Sequence, residues 1–404
     1  MGASAALHKE PRVVEIESLE HFDGLIARAT RGTRVEAEQR PGGGRPASAR
    51  QAGKQPAGRL PSMNGWHFQS VDLTARTDAL RSMDPTGAVF LGCDFEPATE
   101  DWLHLNGALI FPTLPGVPFD PYRGQVYTAA ELYSGLETGP YESTLDARVY
   151  AWSSRAATRR NLDATLAASL HDHAVGDAME ALAGTVFAGR KMVGVMGGHA
   201  AARGSAAYNS AARLGRILAE EGYAVATGGG PGAMEAANLG AYLSETGDDE
   251  FAGALNRLAA VPGFRPSVTD WARTAADVLA QAGTGVVNLG IPTWHYGHEP
   301  PNLFATHIAK YFGNAVREAV LLQRCDGGIV FLPGAGGTVQ EIFQDGCENY
   351  YATPEALSPM VLVGRKYWTE ELPAWPLLQA LARGRDMEDS VHLVDTVEQA
   401  LDVL

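Results

Sequence analysis

Apolar positions in the first 150 residues follow two alternating periods. RVVEIE, WHFQSVDL, AVFLGCDF and LIFPTL are short runs rich in β-branched and aromatic residues, the composition of buried strands. Between them, SLEHFDGLIARAT, TDALRSM and TEDWLHLNGA carry the spacing of amphipathic helices, with Ser18 as N-cap of the first. The alternation predicts a small α/β domain over residues 1–150.

One stretch breaks the pattern. RGTRVEAEQRPGGGRPASARQAGKQPAGR is rich in Arg, Gly, Pro and Ala and nearly empty of large apolar residues. Such a segment cannot bury enough surface to offset its chain entropy. A disordered basic insert over residues 31–63 is expected, either a tolerated surface loop or an arm for polyanions.

Beyond residue 150 the strands become continuous apolar runs. Residues 155–183 read as helical. RKMVGVMGG, YAVATGGG, GTGVVNLG, DGGIVFLPG, PMVLVG and VHLVD read as strands. YNSAARLGRILAEEG, PGAMEAANLGAYLSE, the long NLFATHIAKYFGNAVREAVLLQRC and TVQEIFQDGCENYY read as helices between them. Near-continuous apolar strands separated by helices imply a parallel sheet covered on both faces. The predicted fold class is α/β: a Rossmann-like doubly wound parallel sheet over residues 151–404, with the smaller domain before it. Ligands of such sheets sit beyond the carboxyl ends of the strands, where the glycine turns fall.

Composition narrows the function classes. The 404-residue chain has a net charge of −15, which argues against nucleic acid as a partner. An anionic small molecule remains open, because helix N-termini bind phosphate inside acidic proteins. Three cysteines without CxxC spacing suit a reducing compartment. MGASAALHKEPR lacks the apolar core of a signal peptide, and no apolar run is long enough for a bilayer. A cytoplasmic protein without a membrane partner is expected.

Two glycine turns carry the chemistry. TGGGPGAME, Thr227 to Glu235, places Gly228, Gly229 and Gly230 where bare backbone lets a ligand approach, with Pro231 as first helical residue. FLPGAGGTVQE, Phe331 to Glu341, repeats the device with Gly334, Gly336, Gly337 and Thr338. Helix N-termini at both would hold an anion. Neither turn is a Walker loop, a GxGxxG dinucleotide fingerprint or a GxSxG elbow. Thr338-x-x-Glu341 has the spacing of a capping box, which is one reading of Glu341.

PGAGGTVQE resembles the PGGxGTxxE motif of the LOG family, and GGGPGAME resembles its GGGxxGxME partner. The similarity spans roughly residues 190–365. LOG proteins are Rossmann-like phosphoribohydrolases, often labelled lysine decarboxylases. They cleave a nucleoside 5′-monophosphate to free base and ribose 5-phosphate. Gly197-Gly198-His199 matches the GGH of the two-domain bacterial pyrimidine/purine nucleotide 5′-monophosphate nucleosidases, rather than the short cytokinin-activating enzymes. His199 could equally be a loop residue bonded to backbone. Ala335 and Glu318 depart from the family pattern.

The resemblance implies Arg317 and Glu341 as catalytic residues. Arg317 matches with one extra residue allowed in CDGGIVFLP; outside the motif context it would read as a paired surface cation. The implied substrate-binding residues are Gly197, Gly198, His199, Gly228, Gly229, Gly230, Gly232, Met234, Glu235, Gly334, Ala335, Gly336, Gly337 and Thr338. A carboxylate beside the anomeric carbon stabilises the developing cation and can activate water, and Glu341 at a helix N-terminus is expected to stay ionised. Arg317 can clamp phosphate or sugar oxygens but cannot act as an acid. No cofactor is implied: Lys191, Lys310 and Lys366 lie outside both turns, as do Lys9 and Lys54, so none reads as a pyridoxal lysine. His295, His298 and Glu299 could suggest a metal, though their spacing matches no zinc pattern; the other reading has this loop lining the pocket, with Trp294 or Tyr296 near the base. The implied partner is a nucleoside monophosphate, and the implied assembly a homodimer or higher. The alternatives are a nucleotide sensor of the same fold without turnover, or a cytokinin riboside 5′-monophosphate phosphoribohydrolase.

Overall fold

The computed structural model describes residues 13–38, 60–155, 158–295 and 299–404. The chain divides into two compact units, one up to Gly116 together with Tyr122–Gly124, the other comprising Val117–Pro121 and Gln125–Leu404.

The smaller unit is a four-stranded parallel sheet in simple sequential order: β1 (Val14–Ile16), β2 (Trp66–Gln69), β3 (Val89–Leu91) and β4 (Leu109–Phe111). Register places Ile16, Phe68, Phe90 and Ile110 in one row across the strands. Phe68 and Phe90 stack at 4.4 Å, and Phe22 of the helix Leu19–Glu38 meets Phe68 edge-on at 5.5 Å. All three rings are buried, each contributing roughly 1.5–3 kcal/mol relative to exposure. Ser18 caps that helix, its Oγ accepting from the His21 N–H at 3.2 Å. The helix runs on to Glu38, into the stretch expected to be a disordered insert, and Met63 at the far end of that stretch is fully buried. The intervening residues 39–59 lie outside the described residues.

The larger unit holds a seven-stranded parallel sheet in the order β11-β10-β9-β5-β6-β7-β8. Its strands are β5 (Met192–Met196), β6 (Ala224–Thr227), β7 (Leu289–Gly290), β8 (His307–Ile308), β9 (Gly328–Phe331), β10 (Met360–Val363) and β11 (Val391–Val394). The central strands β5, β6, β9 and β10 are buried throughout, as their unbroken apolar sequence requires. From β5 the chain winds outward through β6, β7 and β8, then returns to place β9 on the other side of β5. The strand order therefore reverses between β5 and β9. The fold is the doubly wound α/β class.

Two expectations need correction. The division falls near residues 116–125 rather than 150, because residues 125–150 are tied into the larger unit. Tyr127 and Ile308 exchange backbone bonds of 2.8 Å, the Tyr133 hydroxyl donates to the Pro301 carbonyl at 2.5 Å, and Asp146 accepts from Trp294 Nε1 and Lys310 Nζ at 2.8 and 2.6 Å. The long helix expected from NLFATHIAKYFGNAVREAVLLQRC is only Asn314–Gln323. Asn302 takes the Phe304 and Ala305 N–H groups on its Oδ1, and β8 pairs with β7, so these contacts draw the first half out of helical geometry. Among the described residues no helix is long and apolar enough to cross a membrane.

Candidate functional site

The reversal of strand order brings three glycine turns to one sheet edge: 197–199 after β5, 228–232 after β6 and 334–337 after β9. Crevices of this kind are where ligands of doubly wound sheets bind. The turns touch. Gly198 N–H donates to the Pro333 carbonyl at 3.2 Å, and Ala233 N–H donates to the Gly198 carbonyl at 3.2 Å. Gly232 has φ of 72°, and a Cβ there would stand 2.6 Å from the His199 carbonyl, so only glycine lets these two turns approach.

Arg317 and Glu341 meet beneath the turns. Arg317 lies one turn into the helix Asn314–Gln323, and Glu341 lies on the helix Gly336–Tyr351. Arg317 Nε donates to the Ile291 carbonyl at 2.7 Å, Nη2 to the Gly228 carbonyl at 3.4 Å and Nη1 to Glu341 Oε1 at 3.5 Å. Nη1 also stands 2.7 Å from Glu318 Oε2, but that oxygen makes no well-directed hydrogen bond, so this contact is chiefly electrostatic. A Cβ on Gly228 would fall 2.4 Å from Arg317 Nη2; the glycine makes room for the guanidinium.

All three charged side chains are buried, and one guanidinium cannot fully compensate two carboxylates. Burial pushes Glu341 up to about 7; the Arg317 charge opposes this and Glu318 adds to it. Burial among these charges, and not the helix N-terminus anticipated from sequence, therefore sets the direction of its pKa. Nor is Glu341 part of a capping box. Its helix is capped at Ala335 without any side-chain bond, and Thr338 is already inside. The Thr338 hydroxyl instead packs on Gly334, where a Cβ would come within 2.2 Å of Oγ1. Pro231 likewise precedes the helix Ala233–Tyr242, which is capped by Gly232.

The two motif turns differ in access. Gly228, Gly229, Gly230 and Gly232 are buried under Ile291, Pro292 and Asn302, whereas Ala335, Gly336 and Gly337 are exposed, with open space over both glycines. Free N–H groups at the head of the Gly336–Tyr351 helix are the accessible anion donors. Met234 packs against Gly228 and Gly230. Glu235 is different: its carboxylate is committed to Arg203, which donates to Oε2 from Nε at 3.1 Å and pairs with Oε1 through Nη2.

Several neighbours escaped the sequence reading. Asn302 N–H donates to the Gly229 carbonyl at 2.8 Å, and its Nδ2 to Gly230 O and Asn238 Oδ1 at 3.2 and 2.9 Å. Thr227 bonds both the Gly229 N–H and Asn238. These residues hold the second turn rigid, but no local motif marks them. Glu299 stands with Oε1 3.1 Å from His199 Nδ1. Of the metal reading, His298 lies outside the described residues, as does Tyr296; among the described residues no group of three or more His, Cys, Asp or Glu side chains is placed to hold a metal. Trp294 is buried, stacked on Phe312 at 4.7 Å.

Among solved structures, the chain is similar to the molybdenum cofactor binding protein from the phototrophic bacterium Rippkaea orientalis, at 18% identity and TM-score 0.32, over 53% of this chain and 94% of that one. It is similar to the Moco carrier protein from Chlamydomonas reinhardtii at 19% identity and TM-score 0.31, over 53% and 94%. A third likeness, to TM1055, has 19% identity and TM-score 0.31 over 53% and 97%. No curated protein matches. Residues 190–247, spanning β5, β6 and the first two glycine turns, match the family model described as the SLOG cluster4 family.

Proposed function

We propose that the protein hydrolyses the N-glycosidic bond of nucleoside 5′-monophosphates, releasing free base and ribose 5-phosphate. The observation that carries this reading is the convergence of Arg317 and Glu341, 24 residues apart, beneath three glycine turns at the reversal of strand order. The match over residues 190–247 supports a LOG-like fold but stops short of both side chains. The 5′-phosphate sits on the N–H groups of the exposed Ala335, Gly336 and Gly337. Arg317, anchored by Ile291 and Gly228, has its Nη1 directed at Glu341 and holds ribose oxygens against it. Glu341 faces the anomeric carbon. Its pKa of about 7 is near the working pH of a general base, where a carboxylate both takes a proton from water and balances the charge developing on the sugar.

Incubation with a panel of nucleoside monophosphates, without added metal, should release base and ribose 5-phosphate, while free nucleosides react poorly. Base release that requires a divalent ion, or equal rates with adenosine and its monophosphate, refutes the mechanism. Binding of nucleotides with no base released would favour a sensor, a reading supported by the closed contact between Arg317 and Glu341. The proposal includes a cytoplasmic homodimer or higher assembly, by resemblance to LOG proteins; an active monomer in sedimentation would remove that part.

A further inference from the structure

We propose that His199 supplies the proton that the departing base requires, with Glu299 orienting it. This rests on the hydrolase reading above. That reaction needs two proton transfers, and Arg317 and Glu341 account for only one. A guanidinium does not give up its proton, and Glu341 must accept one from water.

His199 ends the turn after β5, with its backbone against Gly232 of the second turn. Its imidazole is 57% exposed, so a ligand can reach it. Nδ1 faces Glu299 Oε1 at 3.1 Å, and among the described residues Nε2 has no partner. Glu299 Oε2 lies 3.5 Å from the position of a Cβ on Gly230, and its charge is felt by Glu341. The pair thus borders the turn whose Gly228 carbonyl accepts from Arg317. Both side chains line a cavity of about 610 Å³ with Gly232, Phe264, Arg265 and Trp271. Arg265 lies over the Phe264 ring at 5.6 Å in this cavity, and a base entering it would meet these two side chains.

In this arrangement the bond from the anomeric carbon to the base nitrogen breaks, and its electron pair goes to the base. Protonated His199 donates from Nε2 to the base ring. Water oxygen bonds to the anomeric carbon, and its proton passes to the Glu341 carboxylate. One water is consumed; His199 regains a proton from solvent and Glu341 returns one. An imidazolium with Nδ1–H turned to a carboxylate keeps Nε2–H free to donate, the usual way a histidine is held for such transfer.

The test compares the nucleoside monophosphate that the wild type cleaves best with 7-methylguanosine 5′-monophosphate, whose base is already cationic and leaves without a proton. In the full-length protein, His199→Gln should lower kcat on the ordinary nucleotide by about a hundredfold or more, and on the 7-methyl substrate by less than about fivefold. Glu299→Gln should show the same dependence on leaving group with a smaller loss. Equal losses on both substrates would make His199 a binding residue and overturn the proposal, as would undiminished turnover of the ordinary nucleotide. A wild type that releases no base from any substrate overturns the hydrolase reading, and this proposal with it; that failure is recognised because it precedes any substitution.

Discussion

Glu341→Gln separates the electrostatic role of the residue from its shape. Glutamine keeps the volume, and its amide oxygen can still accept from Arg317, which retains Ile291, Gly228 and Glu318 as partners. What disappears is a titratable group held at about 7 instead of its ordinary 4.5. Folded wild-type protein binds this proton more tightly than the unfolded chain. Its stability contribution is complete below pH 4.5 and is lost as pH rises towards 7. At about 1.4 kcal/mol per pH unit, the wild type should lose about 2–3 kcal/mol through this group between pH 5 and pH 8.5. The variant does not carry that loss. Urea denaturation of both proteins across this range should show Glu341→Gln gaining about 2–3 kcal/mol on the wild type as pH rises, while base release falls by about a hundredfold or more. Stability curves that run parallel within about 0.5 kcal/mol would refute the account of a destabilised buried carboxylate; near-normal turnover would refute its place at the anomeric carbon.

Gly228→Ala should lower turnover by about tenfold or more, because the new Cβ would lie 2.4 Å from Arg317 Nη2 and displace the clamp; kinetics with a matched melting curve checks this. Arg203→Met should cost about 3–5 kcal/mol in chemical denaturation, since it leaves Glu235 buried without its cation, and adding Glu235→Gln should recover most of the loss. Burial pushes Asp345 up to about 8, with the Glu348 charge adding to it. Asp345→Asn should therefore gain on the wild type as pH rises from about 4 through 8, by on the order of 3 kcal/mol or more, read as a difference in melting behaviour between pH 5 and pH 9.

The alternation of apolar runs was enough to place β1 to β7 and β9 to β11, β7 as the last two residues of GTGVVNLG, because buried parallel strands leave an unbroken local signature. β8 has only two residues, inside the run expected to be helical; Asn302 just before it and Tyr127, far away in sequence, hold this stretch extended. The site divides in the same way. Glycines that must accept a neighbour's backbone are written in the local sequence. The residues that hold those glycines, such as Asn302 and, through it and Thr227, Asn238, act across loops and leave no local pattern. Glu341 shows why spacing alone was ambiguous. Residues three apart share one helix face, so Thr-x-x-Glu suits both a reciprocal cap and a buried stripe. The outcome depends on where the helix begins. Here it begins at Gly336, two residues before Thr338, because the Thr338 hydroxyl is packed on Gly334. That shift carries Glu341 past the first turn and against Arg317, whose Nη1 also faces Glu318. Its charge state then follows from burial among those side chains and not from the helix N-terminus. The same shift leaves the N–H groups at the head of the helix without a side-chain cap, so the site proposed for the phosphate and the raised pKa of the carboxylate would have one structural cause.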